Sequence, residues 1–253
     1  MAIAVITGAS SGLGGEYVRQ VATRHPELKE IWLIARRRER LEQWQKEFPQ
    51  TVFRLLPLDL SREESFEEYE RLLAETGEPV WMLINNAGLG TIGDLYDMNY
   101  PSQTRMVDVN VRALTALTTI TLQHMEPGGH ILNVCSIASF APNPRMTVYC
   151  STKAYVLSFT KSLGYELRSR GISVTAVCPG PMSTEFLPVA GIEKGVSKTF
   201  DTLPYCDPRK VAEVSLRKAE QGKTVYTPRL FFKFYRVLAK VLPHNWIMPM
   251  SKA

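Results

Sequence analysis

The sequence predicts a doubly wound α/β domain, a parallel sheet of about seven strands with helices on both faces. Two observations carry that expectation. Short, continuous apolar runs alternate with helical patterns along most of the chain, as βαβ units require when a sheet is buried on both sides. The first run is followed at once by a glycine-rich turn and a helix. A chain of 253 residues, 45% hydrophobic and 22% charged, is large enough to bury such a sheet in one domain.

Residues 2–6 read as the first strand, followed by Thr7-Gly8-Ala9-Ser10-Ser11-Gly12-Leu13-Gly14-Gly15 and a helix to about Ala22. Strand, glycine turn and helix are the setting a dinucleotide needs. The backbone must turn tightly and approach a pyrophosphate closely, with the helix N-terminus meeting the anion. Residues 30–35 give the second strand. At its end, where an acidic side chain would hold the ribose 2′-hydroxyl of NAD, stand Ala35 and then Arg36-Arg37-Arg38. Guanidinium groups match phosphate oxygens, so NADP(H) is expected, with Arg36 the first candidate and Arg37 the second. The bland alternative is a solvated start to the helix over 39–48.

The run 51–60 is the third strand, ending at Asp59-Leu60. Asp59 or Ser61 could cap a helix that starts near Arg62. Residues 80–84 form a fourth strand running into Asn85-Asn86-Ala87-Gly88. Small residues there allow close approach, and the amides can tie neighbouring strands together. A long helix over roughly 101–125 carries Asn110 in its interior, a position asparagine does not favour.

Residues 129–136 deliver Ser136 at the carboxyl end of a fifth strand, where open α/β sheets bind ligands. A helix from Tyr149 to about Arg170 puts Tyr149 and Lys153 one turn apart on one face. A cation beside a phenol is expected to lower its pKa towards a useful range for proton transfer. Residues 171–180 are the sixth strand. The stretch 185–206 has no clear period and reads as a substrate lid. A helix over 208–221 and a short strand over 223–227 follow.

From Arg229 to Leu242 the basic residues Arg229, Lys233, Arg236 and Lys240 share one helical face, while Phe231, Phe234, Leu238 and Val241 form an apolar stripe. Packing against the body or a subunit is one reading and contact with an anionic membrane the other. Residues 1–228 are taken as the dinucleotide-binding domain and 229–253 as a basic amphipathic extension.

Net charge is +5, concentrated in the arginine run and the tail, which argues for local roles over a nucleic-acid surface. The four cysteines show no C-x-x-C pairing and the four histidines no ligand spacing. A reduced chain with no metal site is expected. With a strand opening near Met1 and no 18-residue apolar run, a soluble cytoplasmic protein is the default.

Thr-Gly-x-x-x-Gly-x-Gly after the first strand, Asn-Asn-Ala-Gly after the fourth and Tyr-x-x-x-Lys behind a serine resemble the short-chain dehydrogenase/reductase family over essentially the whole chain to about residue 228. The resemblance implies a Rossmann-like fold and hydride transfer between a nicotinamide and a carbonyl carbon. It implies that Ser136 hydrogen-bonds the carbonyl oxygen, Tyr149 protonates it, Lys153 holds the nicotinamide ribose, and Asn110 holds a water that relays protons. Gly8, Ser10, Ser11, Gly12, Leu13, Gly14, Asp59, Leu60, Asn86, Ala87, Gly88, Pro179, Gly180 and Thr184 would line the cofactor, Asp59 at the adenine and Thr184 at the nicotinamide end. A homodimer or homotetramer is implied, paired through the helices that carry Asn110 and Tyr149. The apolar lid and tail lean towards a lipophilic ketone such as a steroid, fatty acyl or aromatic carbonyl. A catalytically silent NADP(H) sensor or scaffold, with or without membrane recruitment through the basic C-terminal helix, is the alternative; the intact set of Ser136, Tyr149, Lys153 and Asn110 speaks against it.

Overall fold

The computed structural model describes residues 2–193, 195 and 197–251; Met1, Lys194 and Val196 of the expected lid, and Lys252 and Ala253 of the extension lie outside them. Strand β1 (Ile3–Thr7) is buried along its length, and its side chains alternate between two cores. Ala4 and Ile6 enter one, Ile3 and Val5 the other. That two-sided burial is why the run is continuously apolar rather than alternating.

The remaining strands are β2 (Glu30–Ile34), β3 (Phe53–Leu56), β4 (Val80–Asn85), β5 (His130–Val134), β6 (Ser173–Val177) and β7 (Val225–Tyr226). They join in the order β3-β2-β1-β4-β5-β6-β7, every pair parallel. Chain direction across the sheet reverses between β1 and β4. A crevice therefore opens at the carboxyl ends of those two strands.

One face of the sheet is covered by α1 (Gly12–Arg24), α2 (Arg38–Glu47) and α9 (Pro208–Glu220), through Leu13, Tyr17, Val21, Leu41, Trp44, Val211 and Leu216. The other carries α3 (Glu64–Thr76) and α5 (Leu114–Leu122), through Phe66, Tyr69, Leu73 and Leu117. Beside them α6 (Thr147–Glu166) packs Val156 against Cys135, Ala176 and Cys178.

Several expected elements are shorter than their apolar runs. Pro57 has no N–H to give the ladder, so β3 stops at Leu56 rather than continuing to residue 60. The next helix begins at Glu64, because Asp59 is engaged in a turn with Ser61 instead of capping a helix near Arg62. The expected single helix over 101–125 is three pieces: α4 (Tyr100–Val107), a π turn (Asp108–Ala113) and α5. The lid folds locally into α7 (Phe186–Val189) and α8 (Lys198–Thr202).

The chain then forms α10 (Leu230–Val241) and α11 (His244–Ser251). The face of α10 that packs inward is not the expected stripe. Phe232 and Ala239 are buried, while Phe231, Phe234 and Val241 are exposed. The inward face is chosen by the surface it meets: a Cβ on Gly180 would lie 2.3 Å from the Phe232 ring, so the ring fills the space that glycine leaves.

Candidate active site

The glycine turn between β1 and α1 is a main-chain cradle. Gly8 adopts φ +67°, and a Cβ at Gly14 would sit 2.0 Å from the Gly8 carbonyl oxygen. Only glycine at both positions lets the turn close this tightly. Thr7 locks it to the end of β4: its hydroxyl accepts from the Asn86 and Ala87 N–H groups, each at 2.9 Å, and donates to the Ile84 carbonyl at 3.3 Å. Asn86 Nδ2 donates to the Thr7 carbonyl at 3.0 Å. Ser10, Ser11, Gly12 and Leu13 face the same cleft at the start of α1.

The amides of β4 and β5 do tie neighbouring elements together. Asn85 Nδ2 donates to Asn133 Oδ1 at 2.9 Å and Thr118 Oγ1 at 3.0 Å, and Asn133 Nδ2 donates to Thr160 at 3.0 Å. This buried chain of polar groups links the two central strands to α5 and α6.

At the end of β2, Arg36 and Arg37 both line the cleft. Arg37, the second candidate in sequence, is the one that reaches across it, donating to Ser10 Oγ at 3.2 Å and Ser11 Oγ at 3.3 Å. Its Nη2 also meets Glu185 Oε2 at 3.0 Å, and Arg40 pairs with the other oxygen of that carboxylate. Arg40 was not among the expected residues; it stands in the first turn of α2, three residues after Arg37. Arg40 first and Arg37 second hold the Glu185 carboxyl down at about 2.

Asp59 lies on the cleft wall with Leu60. Its Oδ1 accepts from the Ser61 N–H and hydroxyl, and its Oδ2 pairs with Arg105 at 2.9 Å. Burial pushes its pKa up, but the Ser61 bonds and then Arg105 and Arg36 outweigh it and keep the group below its ordinary value.

Ser136, Tyr149 and Lys153 come together, all nearly buried. The Ser136 hydroxyl lies beside the Tyr149 phenol and acts to lower its pKa. Ser136 Oγ accepts from the Ala138 N–H at 3.1 Å, which leaves its proton free to be donated. Lys153 Nζ donates to the Val134 carbonyl at 2.9 Å and lies 5.8 Å from the centre of the Tyr149 ring.

The electrostatics differ from the sequence expectation. Burial raises the Tyr149 pKa well above that of a free phenol, and the neighbouring Ser136 hydroxyl opposes the rise without overcoming it. The ammonium's bond is directed at the Val134 carbonyl. Burial also depresses the Lys153 pKa.

Asn110 sits in the π turn, which explains an asparagine in a helical stretch. Its Oδ1 accepts from the Leu89 N–H at 2.8 Å, and its Nδ2 donates to the Leu89 carbonyl at 2.9 Å and to Thr152 at 3.0 Å. It thereby fixes the loop through Ala87 and Gly88. A Cβ on Gly88 would lie 3.3 Å from Asn110 Oδ1 and 3.5 Å from Lys153 Nζ, so both side chains converge on that glycine.

Opposite this cluster the cleft becomes apolar. Pro179 and Gly180 form its turn, Thr184 stands against Gly12, and the Phe186 ring centre is 5.9 Å from that of Tyr149. Leu187, Ile192, Phe200 and Leu203 from the lid and Phe231, Tyr235, Leu238, Leu242 and Ile247 from the tail complete a space of about 680 Å³. The sequence leaves open whether the tail covers the active site, packs on a subunit or touches a membrane; Phe231 and Tyr235 line the cleft.

Residues 2–192 match the short chain dehydrogenase family. The chain belongs to it. Membership makes it an oxidoreductase working between CH–OH and C=O groups. An uncharacterized oxidoreductase of Staphylococcus aureus (strain MRSA252) is 30% identical over 228 residues, 88% of this chain and 93% of the relative. Among solved structures, a short-chain dehydrogenase from Sphingobium yanoikuyae in complex with NADPH is 28% identical with a TM-score of 0.78, covering 96% of this chain and 97% of that one. A bulky-bulky ketone specific alcohol dehydrogenase from Comamonas testosteroni is 28% identical with a TM-score of 0.75, covering 96% of this short chain dehydrogenase and 95% of its own chain.

Proposed function

We propose that the protein is an NADP(H)-dependent oxidoreductase that interconverts a lipophilic ketone and its secondary alcohol. The observation that supports this best is the position of the Ser136–Tyr149–Lys153 cluster between the glycine cradle and the apolar end of one continuous cleft. The cradle fits a dinucleotide, since Gly8 and Gly14 let the turn between β1 and α1 close tightly while Ser10, Ser11 and Gly12 face the cleft at the start of α1. Arg37, held over the Ser10 and Ser11 hydroxyls, offers a guanidinium for a 2′-phosphate, with Arg36 and Arg40 beside it. The Sphingobium relative, solved with NADPH, supports the choice of cofactor.

When bound, the dinucleotide supplies the hydride for reduction and accepts it in oxidation. Ser136 donates a hydrogen bond to the carbonyl oxygen, and Tyr149, kept protonated at neutral pH by burial, passes its proton to that oxygen as negative charge develops. Lys153, 5.8 Å from the centre of the Tyr149 ring, would hold the nicotinamide ribose. Asn110 holds the loop against which Lys153 lies and would hold the water of a proton relay. Phe186, Phe200 and the tail aromatics exclude solvent and favour a bulky apolar substrate, in keeping with the ketone preference named for the Comamonas enzyme. The outer faces of α5 and α6, where Tyr155 and Tyr165 are exposed, are where we place the contact between subunits.

Oxidation of NADPH followed at 340 nm against steroid, acyl and aromatic ketones tests the proposal, with NADH and the Tyr149→Phe variant in parallel. Turnover with NADPH that vanishes in the variant is expected. Tight NADPH binding without turnover of any ketone would favour a cofactor-binding sensor instead.

A further inference from the structure

The outward face of α10 is an apolar surface that neither core nor cleft explains. At about 100° per residue, Leu230, Phe234, Val237 and Val241 fall on one stripe. They are 81%, 63%, 60% and 73% exposed, and the Trp246 side chain at the start of α11 is 67% exposed. The stripe does not end at the surface. Phe231 is 55% exposed and also lines the cleft, and Leu238 continues the apolar arc onto the cleft wall.

The other flank of the stripe is basic. Lys233 and Lys240, two turns apart, are exposed there, with Arg229 and Arg236 beyond them. Residues 221–251 contain no Asp or Glu. The face therefore joins bulky apolar side chains to positive charge with no acidic group of its own.

We propose that α10 and the start of α11 rest on a lipid bilayer bearing anionic headgroups, with the mouth of the cleft turned to the acyl chains. A helix with aromatic and aliphatic residues on one side and lysines on its flank lies in the plane of such an interface. Charge decides between a bilayer and a second copy of the chain. A two-fold contact sets the same patch against itself, which would bring Lys233 and Lys240 of two copies together with no carboxylate to separate them. Anionic headgroups remove that conflict and attract each lysine. No described helix is long and apolar enough to cross a membrane, so the attachment is peripheral. Its consequence, which rests on the reductase reading, is that the ketone enters from the lipid phase along Phe231 and Leu238.

Flotation of the full chain tests the docking, with vesicles of phosphatidylcholine alone and of phosphatidylcholine mixed with phosphatidylserine. Binding is expected to the mixed vesicles and to weaken as salt is raised. Lys233→Glu with Lys240→Glu, and separately Phe234→Asp with Val237→Asp, should each lower the affinity roughly tenfold or more. None of these four residues lines the cleft, so melting temperature and reduction of a small water-soluble ketone should be unchanged. Absence of flotation with both vesicle types would overturn the proposal. So would an oligomer in sedimentation equilibrium that Phe234→Asp breaks apart, which would assign the face to a second copy. Flotation needs no turnover: a chain that floats but reduces nothing keeps the docking and loses the reductase reading, and one that reduces ketones but never floats does the reverse.

Discussion

The two ends of the cleft are built in opposite ways. At the cofactor end the decisive contacts are main chain or one atom removed from it: the Gly8 turn, the Gly14 approach, and the Thr7 hydroxyl bridging to Asn86 and Ala87. At the substrate end the walls are side chains brought from the lid and the tail, held by ring packing such as Phe186 on Tyr149 and Phe232 on Gly180. The first end demands particular residues at fixed spacing. The second demands only apolar volume in the right place, which many sequences supply.

The largest effect should come where the two ends meet. Tyr149→Phe removes the proton donor and should lower kcat for ketone reduction by about 10²–10⁴-fold, with NADPH affinity, read by fluorescence, nearly unchanged. An equal loss of affinity would place Tyr149 in the cofactor end alone. In the wild type, burial keeps the phenol protonated far above neutral while it depresses Lys153. Reduction should therefore fall as rising pH takes the proton from Lys153, at a lower pH than an exposed ammonium would lose it. A pH profile of kcat/KM that falls instead towards acid would contradict this order.

One substitution at each end sharpens the contrast. Phe232→Ala empties a fully buried ring site against Gly180 and should cost about 3–5 kcal/mol of stability, seen as a lowered denaturation midpoint. Gly14→Ala forces a Cβ onto the Gly8 carbonyl and should cost about 1–3 kcal/mol. NADPH affinity should fall more steeply for Gly14→Ala than for Phe232→Ala, because the turn must open to relieve the clash. The reverse ranking would mean that the tail, not the turn, forms the cofactor site.

This contrast also explains what could be read from the chain. Gly8, Gly14, Asn86, Ser136, Tyr149 and Lys153 were legible because close approach and helix geometry leave few alternatives at those positions, and the structure brings them to one cleft. The sheet was legible for a similar reason: burial on both faces leaves an unmistakable run such as Ile3–Thr7. The packed face of α10 was not. Residues 230–242 are apolar on too many sides for periodicity to choose one, and the choice falls to Gly180, fifty residues away, which admits Phe232. The π turn at Asn110 was hidden too, since one extra residue in a helical turn leaves no mark in composition; the asparagine itself was its only trace. The fall in the Tyr149 pKa expected from Lys153 is not found because sequence spacing gives proximity, not the burial that raises the phenol and depresses the ammonium.

A smaller effect separates the arginines. Arg37→Ala should weaken NADPH by roughly 10- to 100-fold and NADH hardly at all, as expected for the loss of charged hydrogen bonds to a phosphate. Arg36→Ala should do less, since Arg37 is the side chain that reaches Ser10 and Ser11. Titration of each variant with both cofactors decides which guanidinium selects the phosphate.

The smallest effect joins the two ends of the cleft. Glu185, the first residue after Thr184 and the start of the lid, occupies Arg37 and Arg40 with its two oxygens. A 2′-phosphate would compete with that carboxylate for Arg37, so Glu185→Gln should tighten NADPH, and by no more than about fivefold because the pair is exposed to solvent. The sign with pH follows from the depressed pKa. The carboxylate stays charged above its ordinary value of 4.5 and is neutralised only as pH falls through about 2. The ratio of variant to wild-type affinity should therefore be constant from weakly acidic to alkaline pH. NADPH titrations of both proteins across that range check it; weaker binding by the variant would show that Glu185 orders the arginines for the phosphate instead of competing with it.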